Sequence, residues 1–177
     1  RTLSNRPRDQ ETMPMQTNAR RSTSHVFQAL YGCMLVAGAA CSIKCPDGSD
    51  GLTKALYEAG DPSKYANVTC IPQQEFENYA GDVTLDKGLA MLTHVEENAF
   101  LNFKGKLTIT GAFPLLSQIG GSAFREAGTA DSTTELVDGR TPKLATIEDG
   151  AFAHIKGKLT FTGSFPLLSR IAVLAFY

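Results

Sequence analysis

The stretch GKLTITGAFPLLSQIGGSAF at 105–124 is written again, almost letter for letter, as GKLTFTGSFPLLSRIAVLAF at 157–176. Copies with the same apolar positions and local propensities fold alike, so the chain is built from stacked units rather than from one folded-over core. The spacing of the two copies holds a shorter unit. The phrase L-x-x-[IV]-x-x-x-A-F occurs as Leu92, Val95, Ala99, Phe100 and as Leu116, Ile119, Ala123, Phe124. It returns as Leu144, Ile147, Ala151, Phe152 and as Leu168, Ile171, Ala175, Phe176. The starts at 92, 116, 144 and 168 are spaced by 24, 28 and 24. One further step of 24 back from Leu92 reaches Val68, Ile71, Glu75 and Phe76, with Glu in place of Ala. Five copies thus begin at 68, 92, 116, 144 and 168. The insertion that lengthens the third copy falls to the polar stretch REAGTADSTT at 125–134, which has loop composition.

A period of about 20–30 residues predicts a solenoid. Each unit holds one alternating stretch, Val83-x-Leu85, Leu107-x-Ile109 or Leu159-x-Phe161, which predicts a short strand with those residues inward. The same alternation turns Thr84, Asp86, Lys106, Thr108, Thr110, Lys158, Thr160 and Thr162 outward onto one face. Gly111 and Gly163 permit a turn after the strand, and Pro114 and Pro166 stiffen the return. One coil of this size cannot bury its own apolar residues. Stacked coils bury each other's Leu, Ile and Phe columns, at about 1.5–3 kcal/mol per fully buried large side chain. The fold class expected is a β-rich solenoid over 68–177, with a cap or linker at 41–67.

The phrase resembles the leucine-rich repeats of the BspA-like family, whose units carry L-x-x-I followed by I-G-x-x-A-F; LLSQIGGSAF at 115–124 carries the likeness most fully. The likeness covers 68–176. The chain differs in having TGAFPLL after the strand and in lacking the Asn of ordinary leucine-rich repeats. What the resemblance implies is a leucine-rich-repeat scaffold, secreted or on a cell surface, that binds proteins and is often adhesive.

Composition breaks sharply near residue 40. Residues 1–25 are polar and carry Arg1, Arg6, Arg8, Arg20 and Arg21 against Asp9 and Glu11. The run at 26–40, VFQALYGCMLVAGAA, is almost entirely apolar or small. That run falls short of the roughly 20 residues a membrane span needs, but it fits the apolar region of a secretory signal peptide behind Arg20-Arg21. Ala37-Gly38-Ala39 has the A-x-A form of a cleavage site; Met13 and Met15 both serve as starts, and from Met15 the segment reads as a complete signal peptide. Cleavage after Ala39 or Ala40 leaves Cys41, Cys45 and Cys70, an odd set; cleavage after Ser42 leaves Cys45 and Cys70 as a disulfide pair. Asn67-Val68-Thr69 is an N-glycosylation sequon, which has meaning in a eukaryotic secretory route.

No constellation with catalytic spacing emerges. Gly105-Lys106 and Gly157-Lys158 are followed by Leu, not by the Ser or Thr of a phosphate loop. The three histidines are scattered, and His94 occupies an outward slot that other copies fill with Gln118, Thr146 and Arg170. The pairs Glu96-Glu97 and Glu148-Asp149 align with Gly120-Gly121 and Ala172-Val173, as solvated turn residues would. A formal net charge of −1 gives no field to recruit nucleic acid. The chain is therefore read as a non-enzyme without cofactor or metal, recognising a protein or other macromolecule through its strand face. The alternative is the ligand-binding piece of a larger receptor or enzyme whose catalytic domain lies beyond residue 177; a last phrase ending at Phe176-Tyr177 without a polar capping coil is what suggests truncation.

Overall fold

The computed structural model describes residues 45–177. The polar leader at 1–25, the apolar run 26–40 and its cleavage positions lie outside the described residues. From Cys45 onward the chain is a β-solenoid of about four turns, each strand recurring once per repeat. Two parallel sheets run its length. The first takes five two-residue strands, β1 (Cys70–Ile71), β3 (His94–Val95), β5 (Gln118–Ile119), β7 (Thr146–Ile147) and β9 (Arg170–Ile171), in that order. The second takes β2 (Val83–Leu85), β4 (Leu107–Ile109), β6 (Thr133–Val137) and β8 (Lys158–Thr162). Strand partners are never consecutive in sequence; each strand pairs with the same strand of the next coil, as a solenoid requires.

The repeated phrase explains itself in the packing. Val95, Ile119 and Ile147 are buried on the inner side of the five-stranded sheet, and the turn that follows each strand carries Ala-Phe inward. Phe76, Phe100, Phe124, Phe152 and Phe176 stack ring on ring at centroid separations of 4.9, 5.2, 5.2 and 5.4 Å, with planes within 12° of parallel. Stacked rings contribute about 0.5–1.5 kcal/mol per pair beyond their buried area. The turns are also tied coil to coil. Phe76 N–H donates to the Ala99 carbonyl at 2.8 Å, and Phe100, Phe124 and Phe152 donate to those of Ala123, Ala151 and Ala175 at 2.7 Å. The small Ala lets backbones approach for those bonds. The turns before the last place two residues each in the left-handed region, for example Asn98 and Asn102 at φ 58° and 53°, and Ser122 and Glu126 at 52° and 56°. His154 at φ 55° continues that second column, so its slot is a turn position.

The Glu that breaks the phrase in the first copy has a specific task. Glu75 is buried, and its carboxylate accepts from the Lys54 amide at 2.7 Å, fixing the start of α1 (Lys54–Glu58) over the first coil. Thr53 caps the same helix by accepting from Leu56 N–H at 3.1 Å. Leu52 and Tyr65 enter the core cluster, so the described residues 45–67 pack onto the first coil. A disulfide joins Cys45 to Cys70 across a Cα separation of 6.0 Å. At the other end Ile171, Val173, Leu174, Phe176 and Tyr177 are exposed on the last coil.

The middle coil departs from the expected register. The phrase moves from Gln118 to Thr146, a step of 28, yet the four-stranded ladder pairs Thr108 with Thr133 and Thr133 with Lys158, two steps of 25. The inserted residues therefore do not all lie in 125–134. One precedes β6, and the remainder follow it in the turn at 138–140. In consequence Leu159 stands beside Thr134 in Ile109's row, displaced along the strand from the row of its sequence counterpart Leu107. Ser132 absorbs the slip: its buried hydroxyl accepts from Leu107 N–H at 2.9 Å and from Thr129 N–H at 2.8 Å, where a ladder carbonyl would otherwise serve.

Candidate functional site

Alternation in the four-stranded sheet sends Val83, Leu85, Leu107, Ile109, Thr134 and Leu136 into the core, with Leu159 and Phe161 partly buried against it. The residues between them form the outer face. One row runs Thr84, Thr108, Thr133, Lys158, and the next two outward rows pair Glu135 with Thr160 and Val137 with Thr162. Thr84, Asp86, Lys106, Lys158 and Thr162 are exposed; Thr108, Thr110 and Thr160 are half-buried by their neighbours.

Of the eight expected residues, Thr84, Thr108, Lys158, Thr160 and Thr162 share that face, though not in the expected rows, and Asp86, Lys106 and Thr110 directly flank β2 and β4. Thr108 and Thr160, equivalent in sequence, lie in different rows because of the slip at β6. Lys158 occupies the Thr108 row, so Lys106 and Lys158 are not stacked counterparts. The intervening rung, on β6, consists of Thr133, Glu135 and Val137. Sequence reasoning missed Thr133 and Glu135 because β6 carries no Gly-Lys-Leu-Thr heading. The alternation of Thr134 and Leu136 was the signal available. Arg140, also missed, lies across this face and donates through Nη1 to the Thr110 carbonyl at 3.0 Å and to Glu135 at 2.9 Å. At the first strand, Thr84 N–H donates to the Tyr57 hydroxyl at 2.8 Å, so α1 covers the sheet's N-terminal edge.

The outer side of the five-stranded sheet is different in character. His94, Gln118, Thr146 and Arg170 form its central row. Beside that row, hydroxyls of Thr93, Ser117 and Ser169 donate to the carbonyls of Thr69, Thr93 and Ala145 in the preceding coil. Gly120 and Gly121 floor a depression of about 390 Å³ walled by Glu96, Glu97, Glu148 and Asp149. Burial pushes the Glu96 carboxyl above its usual range, with His94 opposing the shift, and Arg170 pairs with Glu148 at 3.2 Å. Among the described residues no group of three metal-ligating side chains converges, and no helix is long and apolar enough to cross a membrane.

Asn67 lies exposed on a turn before β1. No family model, no curated protein and no solved structure matches this chain.

Proposed function

We propose that this chain is a secreted or cell-surface leucine-rich-repeat module that recognises a protein or other macromolecule through the outer face of its four-stranded sheet. The observation that carries the reading is the division of labour in that sheet. Inward side chains are committed to stacking, whereas Thr84, Thr108, Thr133, Lys158 and the neighbouring Glu135–Thr160 pair have no core to fill. Side chains free of packing duty on a rigid, regular frame bind with little ordering cost. Hydroxyls, two lysines and scattered carboxylates suit a polar partner surface rather than an apolar one. The Cys45–Cys70 bond supports maturation in an oxidising compartment.

The test is a binding screen against extracellular proteins and polysaccharides, followed by charge reversal on the hit. Lys106→Glu together with Lys158→Glu is expected to weaken affinity about tenfold or more, a change of roughly 1.4 kcal/mol, while leaving the melting temperature unchanged. Retained affinity in that variant, with loss on substituting Glu96, Glu97, Glu148 and Asp149, would transfer the site to the five-stranded sheet.

A further inference from the structure

The five copies of the repeat share one corner. In each, a tight turn is closed by a backbone bond: Val68 N–H to the Tyr65 carbonyl at 3.0 Å, Leu92 to Leu89, Leu116 to Phe113 and Leu144 to Thr141 at 3.1 Å, and Leu168 to Phe165 at 2.9 Å. The first residue of each turn points inward: Tyr65, Leu89, Phe113, Thr141 and Phe165 are all buried. The second and third residues form the outside of the corner. They are Ala66-Asn67, Ala90-Met91, Pro114-Leu115, Pro142-Lys143 and Pro166-Leu167. Pro suits the second position of such turns. Met91 and Leu167, at Asn67's position in other coils, are 45% and 55% exposed, and Leu115 there is half-buried.

We propose that Asn67 is an N-glycosylation site whose glycan is seated at the tip of the first of these corner turns; the inference rests on the secreted reading above. Of the six asparagines, only Asn67 has Ser or Thr two positions on. Asn67 is exposed, and its amide has no hydrogen-bond partner among the described residues, so a bulky substituent on Nδ2 displaces nothing in the fold. The reaction replaces one bond by another. Asn67 Nδ2 attacks the anomeric carbon of a lipid-diphosphate-linked oligosaccharide, the carbon–nitrogen bond forms as the carbon–oxygen bond to diphosphate breaks, the amide gives up one proton, and the lipid diphosphate leaves.

The fold also dictates when this happens. The sequon hydroxyl of Thr69, which the transferring enzyme must read, is taken up in the folded chain by Ser49 and lies 3.6 Å from Cys45 Sγ. Val68 is buried, and Cys70, immediately after the sequon, is bonded to Cys45. Transfer therefore precedes closure of the 45–70 loop. Once attached, the glycan stands one coil from exposed Met91, at a corner that contributes no outward residue to the four-stranded sheet.

The experiment expresses the full chain in a eukaryotic secretory host and maps the tryptic peptide 65–87 from the secreted and retained fractions, before and after enzymatic deglycosylation. The expected result is a secreted chain whose peptide carries glycan and, after deglycosylation in heavy-oxygen water, the mass of aspartate at position 67. Asn67→Gln and Thr69→Ala should abolish the modification, Thr69→Ser should keep it, and Cys45→Ser, which cannot close the loop, should show equal or higher occupancy. A secreted chain with unmodified Asn67 overturns the glycan and leaves the secreted reading standing. A chain held in the cytosol with its thiols reduced overturns both. Lower occupancy in Cys45→Ser overturns the order of events.

Discussion

Glu75 shows how one residue can depart from a repeat without departing from the fold. Its counterparts Ala99, Ala123, Ala151 and Ala175 are buried in the stack. Among the described residues the first coil is preceded by α1 rather than by another coil, and there a carboxylate reaches the Lys54 amide and holds α1. Burial raises the Glu75 pKa above its ordinary value, opposed by the Lys54 amide bond. An acid with a raised folded-state pKa binds its proton more tightly folded than unfolded. Its linkage contribution is therefore fully present below the ordinary carboxylate pKa and is lost as pH rises through the raised value. Glu75→Gln keeps the acceptor oxygen and removes the titration. It should be at least as stable as the parent at neutral pH and should lack this component of the pH slope above about pH 4.3. Glu75→Ala should cost about 1 kcal/mol through the lost cap. Urea denaturation across pH 4 to 7 measures both, and an unchanged slope in Glu75→Gln would remove Glu75 from the account.

At the scale of elements, β6 is where the repeat is negotiated. Its inward residues are Thr134 and Leu136, its outward ones Thr133, Glu135 and Val137, and no residue of the motif tells it where to sit along β4. Parity is settled by burial, because a one-residue slip would turn Leu136 to water and Glu135 to the core. Position within that parity is settled by Ser132, whose hydroxyl supplies the acceptor that Leu107 N–H and Thr129 N–H need. Ser132→Ala leaves both donors without that partner in a buried site and should cost about 1–3 kcal/mol. The loss should be localised: amide exchange should accelerate at Leu107 and Thr129 before it does at Val95 or Ile119. A variant with parental exchange at both amides would show that water or backbone shift replaces the hydroxyl.

At the scale of the whole molecule, stability passes from coil to coil, since each coil touches only its neighbours. The N-terminal end is closed by α1, by the Tyr57 hydroxyl over β2 and by the Cys45–Cys70 bond, while the last coil presents apolar side chains outward. Closing a loop of this size limits the unfolded chain, and the Cys45→Ser, Cys70→Ser double variant should lose about 3 kcal/mol. Unfolding should begin at the cap, so limited proteolysis should cut 45–66 in the variant before it cuts 92–152. Equal melting temperatures with and without the disulfide would show that α1 and Leu52 hold the cap unaided.

The period of the coil, the inward columns of Leu, Ile and Phe, and the outward face of Thr and Lys were all legible from the residues alone. They rest on periods of 2 and 24 that each segment carries within itself, and stacking near-identical segments merely repeats the answer. The alignment of one strand with the next was not legible. Lys106 and Lys158 look equivalent in the sequence and stand in different rows of the sheet, and the inserted residues divide around β6 instead of forming one loop before it. Register in a parallel ladder belongs to two coils at once. It is chosen by which side chains can be buried together and which amides find acceptors, Ser132 and Leu107 above all, and those partners meet only when the coils are stacked.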